Sequence, residues 1–184
     1  VESHGDKTFV TETAYDAFSR VKMIAYPSGF VVQNEYNENG YLSKVKDYVN
    51  NTVYWTANMV NARGQLEQFT LGNGLVTNKT YSAKRGHIEN IRTGSVQDWT
   101  YDFDSVGNLS YKKDNRRNKT ESFRYDALNR LSEVYHNGAL TQEIEYDAAG
   151  NITYKTGVGN DFKYKAGTNK LESVSGAGYS PRDW

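Results

Sequence analysis

One phrase returns along this chain at a nearly fixed interval. An aromatic residue is usually followed by an acid or amide, then Gly or Asn, and an aliphatic residue closes the phrase. The clearest copies are Tyr125-Asp126-Ala127-Leu128-Asn129-Arg130-Leu131 and Tyr146-Asp147-Ala148-Ala149-Gly150-Asn151-Ile152. Further copies open at Tyr15-Asp16, at Tyr36 (reaching Gly40 and Leu42) and at Phe103 (reaching Gly107 and Leu109). A degenerate copy runs from Val60 through Gly64 to Leu66. Copies from Tyr81 and Tyr164 carry one extra residue before Ile88 and Leu171. A period maintained over eight copies identifies a repeat array, in which each unit is one supersecondary element.

The spacing selects that element. Successive anchors lie 21, 24, 21, 22, 22, 21 and 18 residues apart. This is too short for a helix pair, which needs roughly 33 residues. It suits two strands of about 5–6 residues with two turns. The 15 Tyr and 7 Phe agree, since aromatic residues favour strands. In one unit, Leu131 to His136 reads as a strand and Asn137-Gly138 as a hairpin turn, because both residues tolerate positive φ. The return strand Ala139 to Tyr146 alternates, placing Leu140, Gln142, Ile144 and Tyr146 on one face. Asp147 can accept a hydrogen bond from the backbone two residues on. Pro27-Ser28-Gly29, Asn50-Asn51, Asn73-Gly74, Thr93-Gly94-Ser95, the run from Asp114 to Thr120 and Gly159-Asn160 occupy the matching mid-unit positions.

The expected fold is therefore all-β: tandem antiparallel hairpins forming a curved, open β-strip. Residues 1–14 are expected to be a lead-in strand, 15–175 the array of about eight units, and 176–184 a tail cut from a longer chain. The spacing leaves one point open. A second apolar residue often follows the closing aliphatic by three places, as in Val21 and Ile24, or Leu131 and Val134. A regular strand places such residues on opposite faces, so either a bulge intervenes or both faces are partly covered.

Lys+Arg and Asp+Glu both number 22, leaving no net charge and no general electrostatic case for nucleic acid. The basic run from Lys112 to Lys119 reads as a solvated loop. With no Cys, the chain has no disulfide and no thiolate chemistry. No apolar run approaches the ~20 residues of a membrane helix. At 37% hydrophobic residues, the composition suits a sheet with one wet face.

The quoted phrases resemble those of the YD-repeat, or Rhs-repeat, family, and Tyr26-Pro27-Ser28-Gly29 adds to the likeness. The resemblance extends from about Thr11 to Val174. It implies a β-strip spiralling into a hollow shell, as in Rhs toxins, the C components of Tc toxins, wall-associated toxins and teneurins. It further implies a secreted or cell-surface scaffold that is not an enzyme and encloses a C-terminal toxin or other cargo polypeptide. An adhesion or carbohydrate-binding module is the alternative. The family's Asp-Pro motif near a self-cleavage site is absent, Pro181 following Ser180, so no autoproteolysis is assigned.

No residue is selected as catalytic, cofactor-binding or metal-ligating. His4, His87 and His136 fall in different units without metal-ligand spacing. The Tyr-Asp acids lack the oxygen density of a Ca²⁺ loop, and cross-strand packing explains the tyrosines. The residues singled out are structural anchors: Tyr15, Asp16, Tyr36, Gly40, Gly64, Tyr81, Phe103, Gly107, Tyr125, Asp126, Tyr146, Asp147, Gly150 and Tyr164. Expected partners are neighbouring repeats, an enclosed cargo, other copies pairing through open sheet edges, and a glycan on the alternative reading.

Overall fold

The structure, a computed structural model, describes residues 2–4 and 6–176. Residues 177–184, nearly all of the expected tail, lie outside them. Every helix or strand among the described residues is a strand. In chain order they are β1 (Glu2–His4), β2 (Lys7–Phe9), β3 (Glu12–Tyr15), β4 (Val21–Ala25), β5 (Val31–Tyr36), β6 (Leu42–Asp47), β7 (Val53–Val60), β8 (Leu66–Leu71) and β9 (Val76–Tyr81). They continue as β10 (Ile88–Thr93), β11 (Gln97–Phe103), β12 (Leu109–Asp114), β13 (Lys119–Tyr125), β14 (Leu131–His136), β15 (Ala139–Tyr146), β16 (Ile152–Lys155), β17 (Asp161–Tyr164) and β18 (Leu171–Ser175). Strands β3 to β16 form a 14-stranded sheet in strict chain order, with β3 and β16 at its ends. β1–β2 and β17–β18 are separate pairs. The chain divides into two compact units, Val1–Ala83 with Asn90–Gln97, and Lys84–Glu89 with Asp98–Trp184.

The register settles the three-residue spacing in favour of a bulge. In the first unit Tyr15 pairs with Val21 but Ala14 pairs with Met23, so Lys22 is the extra residue. Ser43 and Glu67 are skipped in the same way. In the second unit the extra residues are Ser110, Ser132, Thr153 and Glu172. All seven are polar. Each follows the closing aliphatic, and one inserted residue brings positions three apart back to the same face. The Ser43 and Ser132 hydroxyls donate to the carbonyls of Glu35 (3.1 Å) and Arg124 (3.2 Å).

A bulge also overturns one expected alternation. Gln142 pairs with Val134, yet Leu140 pairs with Tyr135, so Thr141 is the extra residue. Leu140 is thereby turned away from the face of Gln142 and is exposed. The Thr141 hydroxyl donates to the Val134 carbonyl at 3.1 Å.

The mid-unit tips follow their local chemistry. Asn137 and Gly138 both have positive φ (49° and 84°) between the paired His136 and Ala139, as a two-residue type I′ hairpin requires. Asn73-Gly74 makes a wider turn: only Gly74 has positive φ, and its N–H donates to Leu71. Burial is shallow. Among the described residues, Val134 and Ile144 are the buried apolar side chains. Asp47, Thr77, Thr93 and Asp114 are buried polar ones. Asp47 and Asp114 face inward at mid-unit tips, each accepting two backbone N–H groups. Thr77 and Thr93 join hydroxyls at 2.7 Å.

Candidate functional site

The chemistry of this chain is concentrated in the recurring turn, which has one geometry in copy after copy. The acid or amide at its second position caps the loop. Asp16 Oδ1 accepts the N–H groups of Phe18 (2.8 Å) and Arg20 (3.0 Å). Asp126 does the same with Leu128 and Arg130, and Asp147 with Ala149 and Asn151, all at 2.9 Å. Asp104 accepts from Val106, Gly107 and Asn108. Asn37 and Asn61 reproduce the pattern with an amide oxygen. Three residues after the cap the backbone turns left-handed at Ser19, Gly40, Gly64, Gly107, Asn129 and Gly150, with φ between 60° and 100°. Glycine or a small polar residue meets that need at least strain.

These capping acids are held ionised. The Arg20 side chain lowers the pKa of Asp16. The Arg130 backbone and then its guanidinium lower that of Asp126. The Asn151 amide side chain lowers that of Asp147. At Asp104 burial pushes upward, but hydrogen bonds from Asn108, Val106 and Gly107 outweigh it.

The sixth position ties one turn to the next. Arg20 Nε and Nη2 both lie 2.7 Å from Asp16 Oδ2, and the guanidinium sits 4.3 Å from the Tyr36 ring centroid. Arg130 repeats this: Nε is 2.6 Å from Asp126 Oδ2, the ring of Tyr146 lies 4.5 Å away, and Nη1 donates to the Asp147 carbonyl at 3.1 Å. Asn108 reaches Asn129 at 3.1 Å.

The tyrosine completes the link. Its hydroxyl donates to the carbonyl of the aliphatic residue that closed the preceding copy. The pairs are Tyr36 to Val21 (2.8 Å), Tyr81 to Leu66 (3.0 Å), Tyr125 to Leu109, Tyr146 to Leu131 and Tyr164 to Ile152 (each 2.9 Å). These carbonyls need a donor because the ladder with the following strand begins two residues later, at Met23, Gln68, Tyr111 and Glu133. β16 and β17 belong to separate sheets, and there the hydroxyl spans the gap. Burial raises the pKa of the Tyr81 and Tyr125 phenols and keeps them protonated donors. Phe103 has no hydroxyl; its ring packs on His87 at 4.6 Å instead. Tyr15 belongs to the first copy, and its hydroxyl makes no hydrogen bond to a described residue.

Sequence reasoning missed the partners of these anchors: Arg20, Arg130, Asn108 and Asn151, the bulge hydroxyls, and the aliphatic carbonyls. The recurrence of Arg or Asn before the aliphatic was the available signal. A separate cross-strand row joins Lys112, Glu121 and His136 on β12, β13 and β14. Glu121 pairs with Lys112 and lies 3.1 Å from His136 Nε2; Lys112 Nζ sits 5.3 Å from the Trp99 ring. Among the described residues no group of three or more His, Cys, Asp or Glu could hold a metal ion. No described helix is long and apolar enough to cross a membrane.

No family model matches the chain, and no curated protein matches it. Solved structures do. A crystal structure of TcdB2-TccC3-Cdc42 aligns over 82% of the chain and 9% of its own, with 19% identity and a TM-score of 0.70. A Photorhabdus luminescens Tc holotoxin pore with mutated TccC3 aligns over 82% of the chain and 10% of its own, with 19% identity and a TM-score of 0.66. TcdB2-TccC3 without the hypervariable C-terminal region gives 15% identity and a TM-score of 0.56, over 89% of the chain and 13% of its own. The chain thus spans about a tenth of the length of the structures it matches. The likeness is one of fold: the chain is an open antiparallel array of hairpins that aligns with part of these structures.

Proposed function

We propose that this chain is a structural scaffold, not an enzyme. It serves as a stretch of wall in an Rhs/YD-repeat shell that encloses a C-terminal toxin or other cargo polypeptide, secreted or held at the cell surface. One observation carries the reading. The ionisable and hydroxyl groups of the phrase are spent on joining neighbours: Asp to its own turn, Arg to the next ring, Tyr to the preceding carbonyl. A group committed to two structural bonds is a poor acid, base or nucleophile, whereas an array of such joints makes a continuous surface whose stability grows neighbour by neighbour. The fold likeness to TccC3 structures supports the same reading.

The test uses the whole protein to which the chain belongs. A protease site placed in the enclosed polypeptide is expected to resist cleavage. The combined Tyr36→Phe, Tyr125→Phe and Tyr146→Phe substitutions are expected to speed that cleavage. A site cut as fast as in the free peptide overturns the reading.

A second reading has its own observation. Tyr26, Phe30 and Tyr54 form a row of exposed rings with centroids 6.1 and 5.9 Å apart, a platform on which sugars stack in adhesion modules. Glycan binding abolished by Tyr26→Ala and Tyr54→Ala would favour it over the wall.

A further inference from the structure

The basic run from Lys112 to Lys119, which reads from the sequence as a solvated loop, folds along one side of a hollow in the second unit. Trp99, Asp114 and Lys119 pair in one row across β11, β12 and β13. Lys112, Glu121 and His136 pair in the next row, across β12, β13 and β14. Positions two apart on a strand share a face, so the rows lie side by side, about 6.6–6.8 Å apart. With Arg117 from the loop between β12 and β13, they line a hollow of about 340 Å³, at the small end of the range for small-molecule sites. Its wall is more apolar than polar, as the Trp99 ring and the hydrocarbon stems of three long basic side chains make it.

The charges around the hollow do not balance. Three cations, Lys112, Arg117 and Lys119, stand against two carboxylates, and both carboxylates are already engaged. Asp114 accepts the backbone N–H groups of Arg116 (3.0 Å) and Arg117 (3.2 Å). Glu121 is held between Lys112 and His136. The Lys119 ammonium, by contrast, makes no hydrogen bond or ion pair with a described residue. The Arg117 side chain is 78% exposed and approaches Asp114 only through Nε, at 3.8 Å. Its two terminal NH2 groups are uncommitted among the described residues. We infer that this hollow binds a small aromatic carboxylate. The carboxylate takes the Lys119 ammonium and the Arg117 fork, whose donors match its two oxygens, and the ring lies against Trp99. One negative charge neutralises the surplus, whereas a second would be repelled by Asp114 and Glu121, which disfavours a phosphate dianion. An acid without a ring would leave the apolar wall in water. The inference goes beyond the scaffold reading and does not depend on it, because the groups it uses are not those that join one turn to the next.

The test is a titration of the chain with phenylacetate, followed by NMR. Shifts are expected at the Trp99 indole and at the Lys119 and Asn137 amides. They should saturate with a Kd of about 1–10 mM, as suits a ligand of about ten non-hydrogen atoms. Acetate has the charge without the ring, and phenylacetamide has the ring without the charge; each is expected to bind at least about fivefold more weakly. Phenyl phosphate, with its second charge, is expected to bind no more tightly than phenylacetate. Lys119→Gln combined with Arg117→Gln is expected to weaken binding at least about tenfold. Both side chains are exposed, so the thermal midpoint should not move. Arg124→Gln removes a cation from the opposite face of β13 and is expected to leave binding unchanged. Absence of shifts at about 50 mM phenylacetate overturns the site. So does equal affinity for acetate and phenylacetate, which would mark an adventitious ion only, or undiminished binding by the double variant. Tighter binding of phenyl phosphate overturns the assignment to a monocarboxylate.

Discussion

The tyrosine hydroxyl is a single atom that can be removed without changing the shape of its ring. Tyr36, Tyr125 and Tyr146 each give that atom to a main-chain carbonyl that no ladder bond reaches. Each Tyr→Phe change is therefore expected to lower unfolding free energy by about 0.5–1.5 kcal/mol in urea titration. Tyr15→Phe, with no described partner to lose, is expected to change nothing. An equal loss at Tyr15 would show that the hydroxyls act through solvation and not through the carbonyl. The capping acids lead to a pH prediction. Asp16, Asp104, Asp126 and Asp147 have pKa values below the ordinary carboxylate value near 4. Between the folded and unfolded pKa values the unfolded chain binds more protons, so stability falls with falling pH. Their contribution is complete above about pH 4 and is lost as pH drops through the folded values. Changing all four to Asn, which already serves at Asn37 and Asn61, is expected to flatten the fall in Tm between pH 5 and pH 2; an unchanged slope would place the acid sensitivity elsewhere. The capping role of Asp147 was legible in the sequence, because an Asx turn is local. The tyrosine bond was not, because its acceptor is a backbone atom 12–16 residues upstream and every residue type carries one.

At the level of strands, the bulge sets which side chains share a face. Ser132 is the extra residue between Leu131 and Val134, and Val134 is among the most buried apolar residues. Deleting Ser132 removes the inserted position, so Leu131 and Val134 can no longer point the same way. The expected loss is about 1.5–3 kcal/mol, the burial of one aliphatic side chain. Hydrogen exchange is expected to quicken across β13, β14 and β15. Ser132→Ala keeps the bulge and removes only the bond to Arg124, so a smaller loss, about 0.5–1.5 kcal/mol, is expected. Equal effects would show that the extra residue has no part in register. The meander itself was readable from the period, the turn residues and the aromatic content. The bulge was visible as an anomaly, a three-residue apolar spacing that fits neither a strand nor a helix. The second bulge, at Thr141, left no such mark: Leu140, Gln142, Ile144 and Tyr146 alternate cleanly in sequence, and only pairing with β14 shows Leu140 turned away. Asn73-Gly74 and Asn137-Gly138 likewise read alike, yet the first sits in a wider turn. Loop length is set by strand pairing as well as by the dipeptide.

For the molecule as a whole, shallow burial decides how it should unfold. Among the described residues no side chain is fully buried, while Phe18, Val49, Val106 and Leu128 are each at least 67% exposed. Strands β3 to β16 neighbour one another in chain order, so stability is a sum of short-range terms with no central core on which all strands depend. Such arrays behave as one-dimensional chains of coupled units, and their cooperativity falls with distance. A perturbation in one joint should therefore stay close to it. Tyr36→Phe removes one of the bonds from β5 back to β4, leaving the ladder from Met23–Gln33 and the Asn34 amide on the Val21 carbonyl, and hydrogen exchange measured peptide by peptide is expected to quicken in β4, β5 and β6. Strands β13 to β15, whose own joints at Tyr125 and Tyr146 are untouched, should keep their protection. Tyr125→Phe should give the converse map. A globular domain responds differently: its slowest amides exchange by global unfolding, so one destabilising change lowers protection everywhere by the same free energy. Uniform loss from β4 to β15 after Tyr36→Phe would therefore show a single cooperative body and reject the picture of a wall assembled joint by joint.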